Sequence, residues 1–255
     1  MVDIRGIVER IGAQRFDRAV IISLKHKFVY FRVPKAANSS VKHYIYTQET
    51  IFDGKTIKDS LIHDVHYGPV VRPSMIGLDS DMLTEIMTSP DWYRFTVVRN
   101  PYSRILSAYL DRYHQNGSDL NKAVNAVRVK DGEDGVANLA VFSEFVRIVE
   151  RDERVGRDMH VVAQHCENFA SEIAMDILRQ ETLQADMDQF AKRIYGKDRA
   201  DIGEKSPSKT SASDKVLKYF DEETLAAANR MYARDFDLFE YPLIPNLADL
   251  KATAA

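Results

Sequence analysis

The stretch "VYFRVPKAANSSVKHYI", from Val29 to Ile45, decides how the fold begins. Aromatic and β-branched residues are crowded from Lys27 to Val33, which predicts a strand that Pro34 ends. A helix is expected from about Asn38 to Gln48. The turn between strand and helix carries Lys35, followed by small residues and hydroxyls. This arrangement is typical of a phosphate-binding loop, because a helix N-terminus presents free N–H groups to an anion.

The loop differs from the nucleoside triphosphate motif G-x-x-x-x-G-K-[ST], because it has no glycine and its lysine precedes the small residues. The candidate donors of hydrogen bonds to an anion are the backbone N–H groups of Ala36, Ala37, Asn38, Ser39 and Ser40. The Ser39 and Ser40 hydroxyls add further donors. The alternative interpretation is a surface turn in which Asn38 or Ser39 caps the helix.

A second strand, turn and helix follow in "WYRFTVVRNPYSRILSAYLDR", where Pro101 ends the strand. Arg99 stands at the strand end, and Ser107 lies two turns into a helix predicted from Tyr102 to Tyr113. With Arg104 between them, these side chains can converge on one anion if the strand end folds over the helix. The alternative is a solvated basic helix face. Two such strand ends indicate a ligand with two separated anionic groups.

Composition limits the class of protein. The chain has 255 residues, 45% of them hydrophobic, with a formal net charge of −3, which argues against a general nucleic-acid binder. Cys166 is the single cysteine, so a reducing compartment is expected. Neither an apolar leader nor a membrane span is expected, and together these features predict a soluble, cytoplasmic protein. Helices between strands favour one α/β domain over residues 1–255, with a parallel sheet and helices on both faces.

Taken together, the motifs resemble those of the family 2 carbohydrate sulfotransferases and their bacterial relatives. "VPKAANSSVK" is similar to their 5′-phosphosulfate loop, and "VVRNPYSRILSAYLDR" to their 3′-phosphate motif R-x-P-x-x-R-x-x-S-A. Three later segments are also similar: "DMHVVAQHC", "MDILRQETLQADMDQF" and "YFDEETLAAANRMYARDFDLFEY". The resemblance spans about residues 19–241.

The resemblance implies a P-loop-like, three-layer α/β fold with a central parallel sheet flanked by helices. It implies in-line transfer of a sulfuryl group from 3′-phosphoadenosine 5′-phosphosulfate (PAPS) to a hydroxyl of a glycan or similar acceptor, with 3′-phosphoadenosine 5′-phosphate (PAP) as product and no metal. Lys35 would neutralise the leaving phosphate, and the following N–H groups would hold the 5′-phosphate. Small size at Ala36 and Ala37 is expected to suffice with negative φ angles.

Other residues take roles from the same resemblance. Arg99 and Ser107 would bind the 3′-phosphate, with Lys205 and Ser206 as further contacts to the 3′-phosphate or adenine. The alternative for the last two is a solvated loop. The segment with His160 and Gln164 is expected to line the acceptor or donor pocket, and the alternative for His160 is a core histidine bonded within the protein.

The catalytic base is expected in "LIHDVHYGP", because uronyl 2-O-sulfotransferases take their base from a paired-histidine segment at a comparable place. His66, then His63, are the candidates, and loop histidines bonded to backbone are the alternative. Two other functions stay open: a nucleotide kinase on a related fold, and a nucleotide-binding module without catalysis. The acceptor and the oligomeric state are not readable from the sequence.

Overall fold

A computed structural model of the chain describes residues 3–51, 70–132, 139–202 and 210–252. The elements of the first part, in chain order, are α1 (Ile4–Ile11), α2 (Ala13–Ala19), β1 (Val20–Ser23), β2 (Phe28–Phe31), α3 (Asn38–Ile51), β3 (Val70–Val71), α4 (Pro73–Ile76), α5 (Asp81–Thr88) and β4 (Tyr93–Val98). The elements that follow are α6 (Pro101–Ala108), a π-helical turn (Tyr109–Tyr113), α7 (Asp119–Lys130), α8 (Phe142–Arg151), α9 (Glu153–Gly156), α10 (His165–Asn168), β5 (Asp176–Arg179), a 3₁₀ turn (Gln180–Thr182), α11 (Leu183–Tyr195), α12 (Ala212–Tyr219), α13 (Glu222–Met231), α14 (Ala233–Leu238) and α15 (Leu247–Ala252).

The chain divides into two compact units. The first contains residues 1–98 and 167–206, and it holds β1 to β5. The second contains residues 99–166 and 207–255 and is helical where the structure describes it. The single-domain organisation expected from the sequence stays a prediction.

The sheet of the first unit is mixed, with strand order β3-β1-β2-β4-β5. β2, β4 and β5 run parallel, whereas β1 is antiparallel to both of its neighbours, β2 and β3. The expectation of a parallel sheet is therefore correct for only part of it. Because β2 and β4 are neighbouring parallel strands, their carboxyl ends lie at the same edge of the sheet, where α/β proteins bind ligands.

The antiparallel strand arises from a hairpin that the sequence pattern concealed. The predicted strand forms β2, and the residues before it form a further strand, β1, which a four-residue turn over residues 24–27 joins to β2. Lys27 adopts a φ of 50° in this turn. A parallel pair needs a crossover of about a dozen residues, so a connection this short enforces antiparallel pairing.

Helices cover both faces of the sheet, as expected. Alternate residues of each strand point to opposite faces, so Phe28 and Tyr30 pack towards α3 and α11, whereas Val29 and Phe31 pack towards α1, α2 and α5. All four β2 side chains are fully buried. The sheet is thus the middle of three layers, and the first loop leaves its most buried strand.

The second unit is built around α6, whose eight residues are all buried. Asn100 caps this helix by accepting hydrogen bonds from the N–H groups of Tyr102 and Ser103, and Pro101 occupies the first turn. The helix predicted from Tyr102 to Tyr113 is confirmed, although its last five residues form the π-helical turn. Within the described ranges, no helix is long and apolar enough to cross a membrane.

Candidate active site

The loop between β2 and α3 contains a tight turn with an unusual backbone. The N–H of Ala36 donates to the carbonyl of Val33 at 3.3 Å. Pro34 takes the second position of this turn and Lys35 the third, with a φ of 68°. A positive φ at the third position is typical of a type II turn, where glycine is preferred. The expectation of negative φ angles is wrong, because Ala37 also has a positive φ, 55°.

These left-handed residues leave the start of α3 open to an anion. The first backbone hydrogen bond of the helix runs from the N–H of Val41 to the carbonyl of Ala37, at 3.1 Å. In the described part of the chain, the N–H groups of Asn38, Ser39 and Ser40 donate to no backbone carbonyl. A concave backbone with such free N–H groups at a helix N-terminus binds phosphate-like anions.

The side chain of Asn38 does not cap α3. Its Oδ1 atom is buried and accepts no hydrogen bond from the residues that the structure describes. The capping alternative for Asn38 is therefore wrong. A buried acceptor without a donor is costly, so this oxygen lies where a ligand bearing a hydroxyl or another donor would compensate it.

A cluster of cations in the first unit escaped the sequence analysis. Lys42, one helical turn after Asn38, is only 2% exposed. Burial, and then the nearby charges of Arg32 and Arg72, lower its pKa to about 7. Arg72 is paired with Asp17, with 3.3 Å between Nη1 and Oδ2. A chain with net negative charge thus holds a local concentration of positive charge close to the loop in sequence.

Arg99 begins the second unit, directly after β4, and is 8% exposed. Its Nε donates to Ser103 Oγ at 2.9 Å, and its Nη2 donates to Ser213 Oγ at 3.2 Å. Hydroxyl partners orient a guanidinium without neutralising its charge. Ser103 and Ser213 thus fix the orientation of the Arg99 guanidinium.

Ser107 lies on the same face of α6 as Ser103, four residues further along. It is 3% exposed, and its Oγ accepts a hydrogen bond from Thr210 Oγ1 at 3.3 Å. The segment that opens α12 thus supplies hydroxyls to both predicted ligands, Ser213 to Arg99 and Thr210 to Ser107. The sequence analysis missed this segment, and its only signal was the serine-rich run "KTSAS".

Arg104 does not join the predicted anion ligands. It is 1% exposed, and its guanidinium donates to the carbonyls of Val162 at 2.7 Å and Met159 at 3.2 Å. These bonds aim the charge at the loop before α10 in the second unit. The expected convergence of Arg104 on the same anion as Arg99 is therefore wrong.

Within the segment expected to line a pocket, Gln164 is buried and supports the backbone, whereas His160 is half-buried. Gln164 is fully buried, and its amide binds both backbone groups of Arg99 at 2.8 Å. His160 is bonded to Asp158, with 2.8 Å between Nδ1 and Oδ1. His165, which the sequence analysis did not single out, is bonded to the buried carboxylate of Asp235.

Four of the predicted site residues lie outside the described residues: His63, His66, Lys205 and Ser206. Their proposed roles stay predictions. Among the described positions, Lys35 and Ala37 have positive φ angles in the loop before α3, and the Arg99 side chain donates to Ser103, which lies one turn before Ser107 on α6.

Comparison with known proteins identifies the class of this chain. The model of the sulfotransferase family matches residues 18–242, which is most of the chain and agrees with the resemblance over residues 19–241. The chain belongs to the sulfotransferase family.

The curated relatives that are similar to this chain include carbohydrate sulfotransferases. Carbohydrate sulfotransferase 10 of Danio rerio is 24% identical over 250 residues, which cover 88% of this chain and 66% of the relative. Carbohydrate sulfotransferase 14 is 25% identical in Danio rerio over 242 residues, covering 89% of this chain and 63% of the relative. The Homo sapiens carbohydrate sulfotransferase 14 is 25% identical over 250 residues, which cover 90% of this chain and 61% of the relative. This chain thus spans between 61% and 66% of the length of these relatives. No solved structure matches it.

Proposed function

We propose that this protein is a PAPS-dependent O-sulfotransferase that moves a sulfuryl group to a hydroxyl of a carbohydrate. The observation that carries the proposal is the loop from Val33 to Ala37, whose left-handed residues open the start of α3, within a chain of the sulfotransferase family. The names of the relatives support a carbohydrate acceptor. The parallel strands β2, β4 and β5, with helices on both faces, support a P-loop-like arrangement of the donor site.

The donor's 5′-phosphosulfate would be bound by the N–H groups of Asn38, Ser39 and Ser40, with those of Ala36 and Ala37 completing the loop. Lys35 would contact the oxygen that bridges sulfur and phosphorus. As that S–O bond breaks and the acceptor oxygen bonds to sulfur, negative charge moves onto the 5′-phosphate of PAP. A cation and fixed N–H dipoles at that position stabilise the transition state more than the ground state.

The 3′-phosphate would be bound by Arg99 and Ser107. A guanidinium suits a phosphate dianion, since charge-assisted hydrogen bonds are the strong ones. Lys205 and Ser206 remain proposed contacts of the same group. The acceptor hydroxyl must lose its proton during transfer, and His66 or His63 is the proposed base.

A transfer assay tests the proposal. Purified protein is incubated with labelled PAPS and a panel of glycans, lipids and small alcohols. Label is expected on at least one carbohydrate, and Lys35→Ala should abolish its appearance. Lys27→Ala is the matched control, because Lys27 is an exposed lysine that also has a positive φ, 50°, but lies in the β1–β2 turn. It should retain full activity.

Nucleotide binding distinguishes the alternatives. PAP should raise the melting temperature, because a ligand at about 100 times its Kd stabilises the native state by roughly 2.7 kcal/mol. Stabilisation by ATP with no effect of PAP would favour a kinase. Stabilisation by PAP with no transfer to any acceptor would favour a binding module without catalysis.

A further inference from the structure

Gln164 makes a two-point contact with the backbone of Arg99. The N–H of Arg99 donates to Gln164 Oε1 at 2.8 Å, and Gln164 Nε2 donates to the carbonyl of Arg99 at 2.8 Å. Only one orientation of the amide satisfies both bonds, because an acceptor must face the N–H and a donor must face the carbonyl. The contact fixes the peptide groups on both sides of the Arg99 Cα atom.

Gln164 is itself held rigidly. It is fully buried, and its own N–H donates to Oδ2 of the buried Asp235 in α14 at 2.7 Å. The same loop is bonded at Val161, whose carbonyl accepts from the Tyr232 hydroxyl at 2.7 Å, and at Val162, which accepts from Arg104. The amide of Gln164 thus reaches Arg99 from a loop that is bonded to two helices, α6 and α14, and to Tyr232 in the connection between α13 and α14.

We propose that Gln164 is a positioning residue for the 3′-phosphate of the donor, acting through the backbone of Arg99; this rests on the proposed function. A side-chain guanidinium selects a phosphate only if its own Cα is fixed, because a shift of about 1 Å can cost on the order of 100-fold in a positioned interaction. Ser103 and Ser213 orient the guanidinium, and Gln164 fixes the backbone of Arg99, from which the side chain extends. Gln164 contributes to selectivity for a 3′-phosphate without touching the nucleotide.

Affinities for two nucleotides test this role. Gln164→Met keeps the volume of the side chain but removes both bonds to Arg99. Its Kd for PAP, measured by calorimetry, should rise roughly 10- to 100-fold. Its Kd for adenosine 5′-phosphate, which lacks the 3′-phosphate, should stay close to that of the wild type. A purely structural role would not produce a loss of selectivity, because a general loosening of the protein would weaken the binding of both nucleotides alike.

Asn121→Leu is the matched control. Asn121 is 4% exposed in α7 and donates from Nδ2 to the carbonyl of Tyr113 at 2.8 Å, so the substitution also removes a buried amide from a backbone contact of the second unit. It should leave the preference for PAP unchanged.

Gln164→Glu provides a second test if the methionine variant folds poorly. A protonated glutamic acid can accept from the N–H and donate to the carbonyl of Arg99, whereas the carboxylate cannot donate. The ratio of its PAP affinity to that of the wild type should fall as pH rises. Asp235 and His165, the titratable neighbours of Gln164 in this network, are present in both proteins.

The outcomes separate the inference from the proposed function. A wild type that prefers PAP over adenosine 5′-phosphate, with the same preference in Gln164→Met, overturns the positioning role alone. Equal weakening of both nucleotides overturns it too, as does a pH-independent ratio for Gln164→Glu. If the wild type binds the two nucleotides equally well, it has no 3′-phosphate site. That outcome would overturn both the inference and the proposed donor.

Discussion

His165 Nδ1 lies 2.7 Å from Oδ1 of Asp235, and that carboxylate is completely buried. The other ring nitrogen of His165, Nε2, lies 3.4 Å from the sulfur of Cys166. Burial by itself lowers the pKa of His165, but the hydrogen bonds to Asp235 and Cys166 outweigh it and raise this pKa to about 9. The imidazole therefore stays charged in the folded protein at pH values where it is neutral in the unfolded chain.

This pair predicts a pH-dependent part of the free energy of unfolding. Because the folded pKa of His165 lies above the unfolded value of 6.5, the stabilisation is fully present below pH 6.5 and is lost as pH rises through about 9. Asp235→Asn should cost most at about pH 6, and the cost should shrink by up to roughly 3 kcal/mol by about pH 9.5, because Cys166 supplies part of the same shift. Urea unfolding at several pH values measures this. The exposed Asp249→Asn should show no such trend, and a constant cost for Asp235→Asn would contradict the prediction.

For Lys42 we expect the opposite pH dependence of the free energy of unfolding. Its folded pKa, about 7, lies below the unfolded value of 10.5, so the unfolded chain binds more protons between these values and stability rises with pH across that window. Lys42→Met should increase the free energy of unfolding at neutral pH by a few kcal/mol, and this gain should vanish above about pH 10.5. Thermal unfolding from pH 7 upwards measures it. Lys192→Met, at a lysine whose side chain is 74% exposed, is the control and should change little at any pH. A gain for Lys42→Met that does not depend on pH would be inconsistent with a depressed pKa.

The left-handed conformation of Ala37 predicts an unusual effect of glycine. An L-residue pays roughly 1–2 kcal/mol in this region and glycine does not. Ala37→Gly should therefore leave the melting temperature unchanged or raise it, although glycine also gains entropy in the unfolded chain. Ala226→Gly, in the middle of α13, is the control and should lose about 1 kcal/mol. If both variants lost the same amount, Ala37 would not be in a left-handed conformation.

Arg104 predicts a structural loss of stability. Arg104→Met removes two charge-assisted bonds to buried carbonyls and should lower the free energy of unfolding by about 2–4 kcal/mol. Arg112→Met, at an arginine whose side chain is 40% exposed, should stay within about 0.5 kcal/mol of the wild type. Denaturant unfolding of both variants measures this. Unchanged stability of Arg104→Met would return Arg104 to the list of candidate anion ligands.

Much of the fold was predictable from local pattern. The aromatic run of β2, the apolar run of β4 and the helical spacing of α6 are local signals, and these predicted elements are found with shorter or slightly shifted ends. The hairpin between β1 and β2 was missed, because its turn contains neither glycine nor proline.

The sequence by itself determined the family of this protein, the two loops that follow β2 and β4, and the residue types that they carry. Charge, small size and hydroxyl groups are properties of single residues at short spacing, and they are readable from the chain. Only the tertiary structure decided that Arg104 serves buried carbonyls, that Lys42 is buried among cations, and that Gln164 holds Arg99 across 65 positions. A hydrogen-bond partner is chosen by proximity after folding, and no local pattern encodes a contact between residues so far apart in the chain.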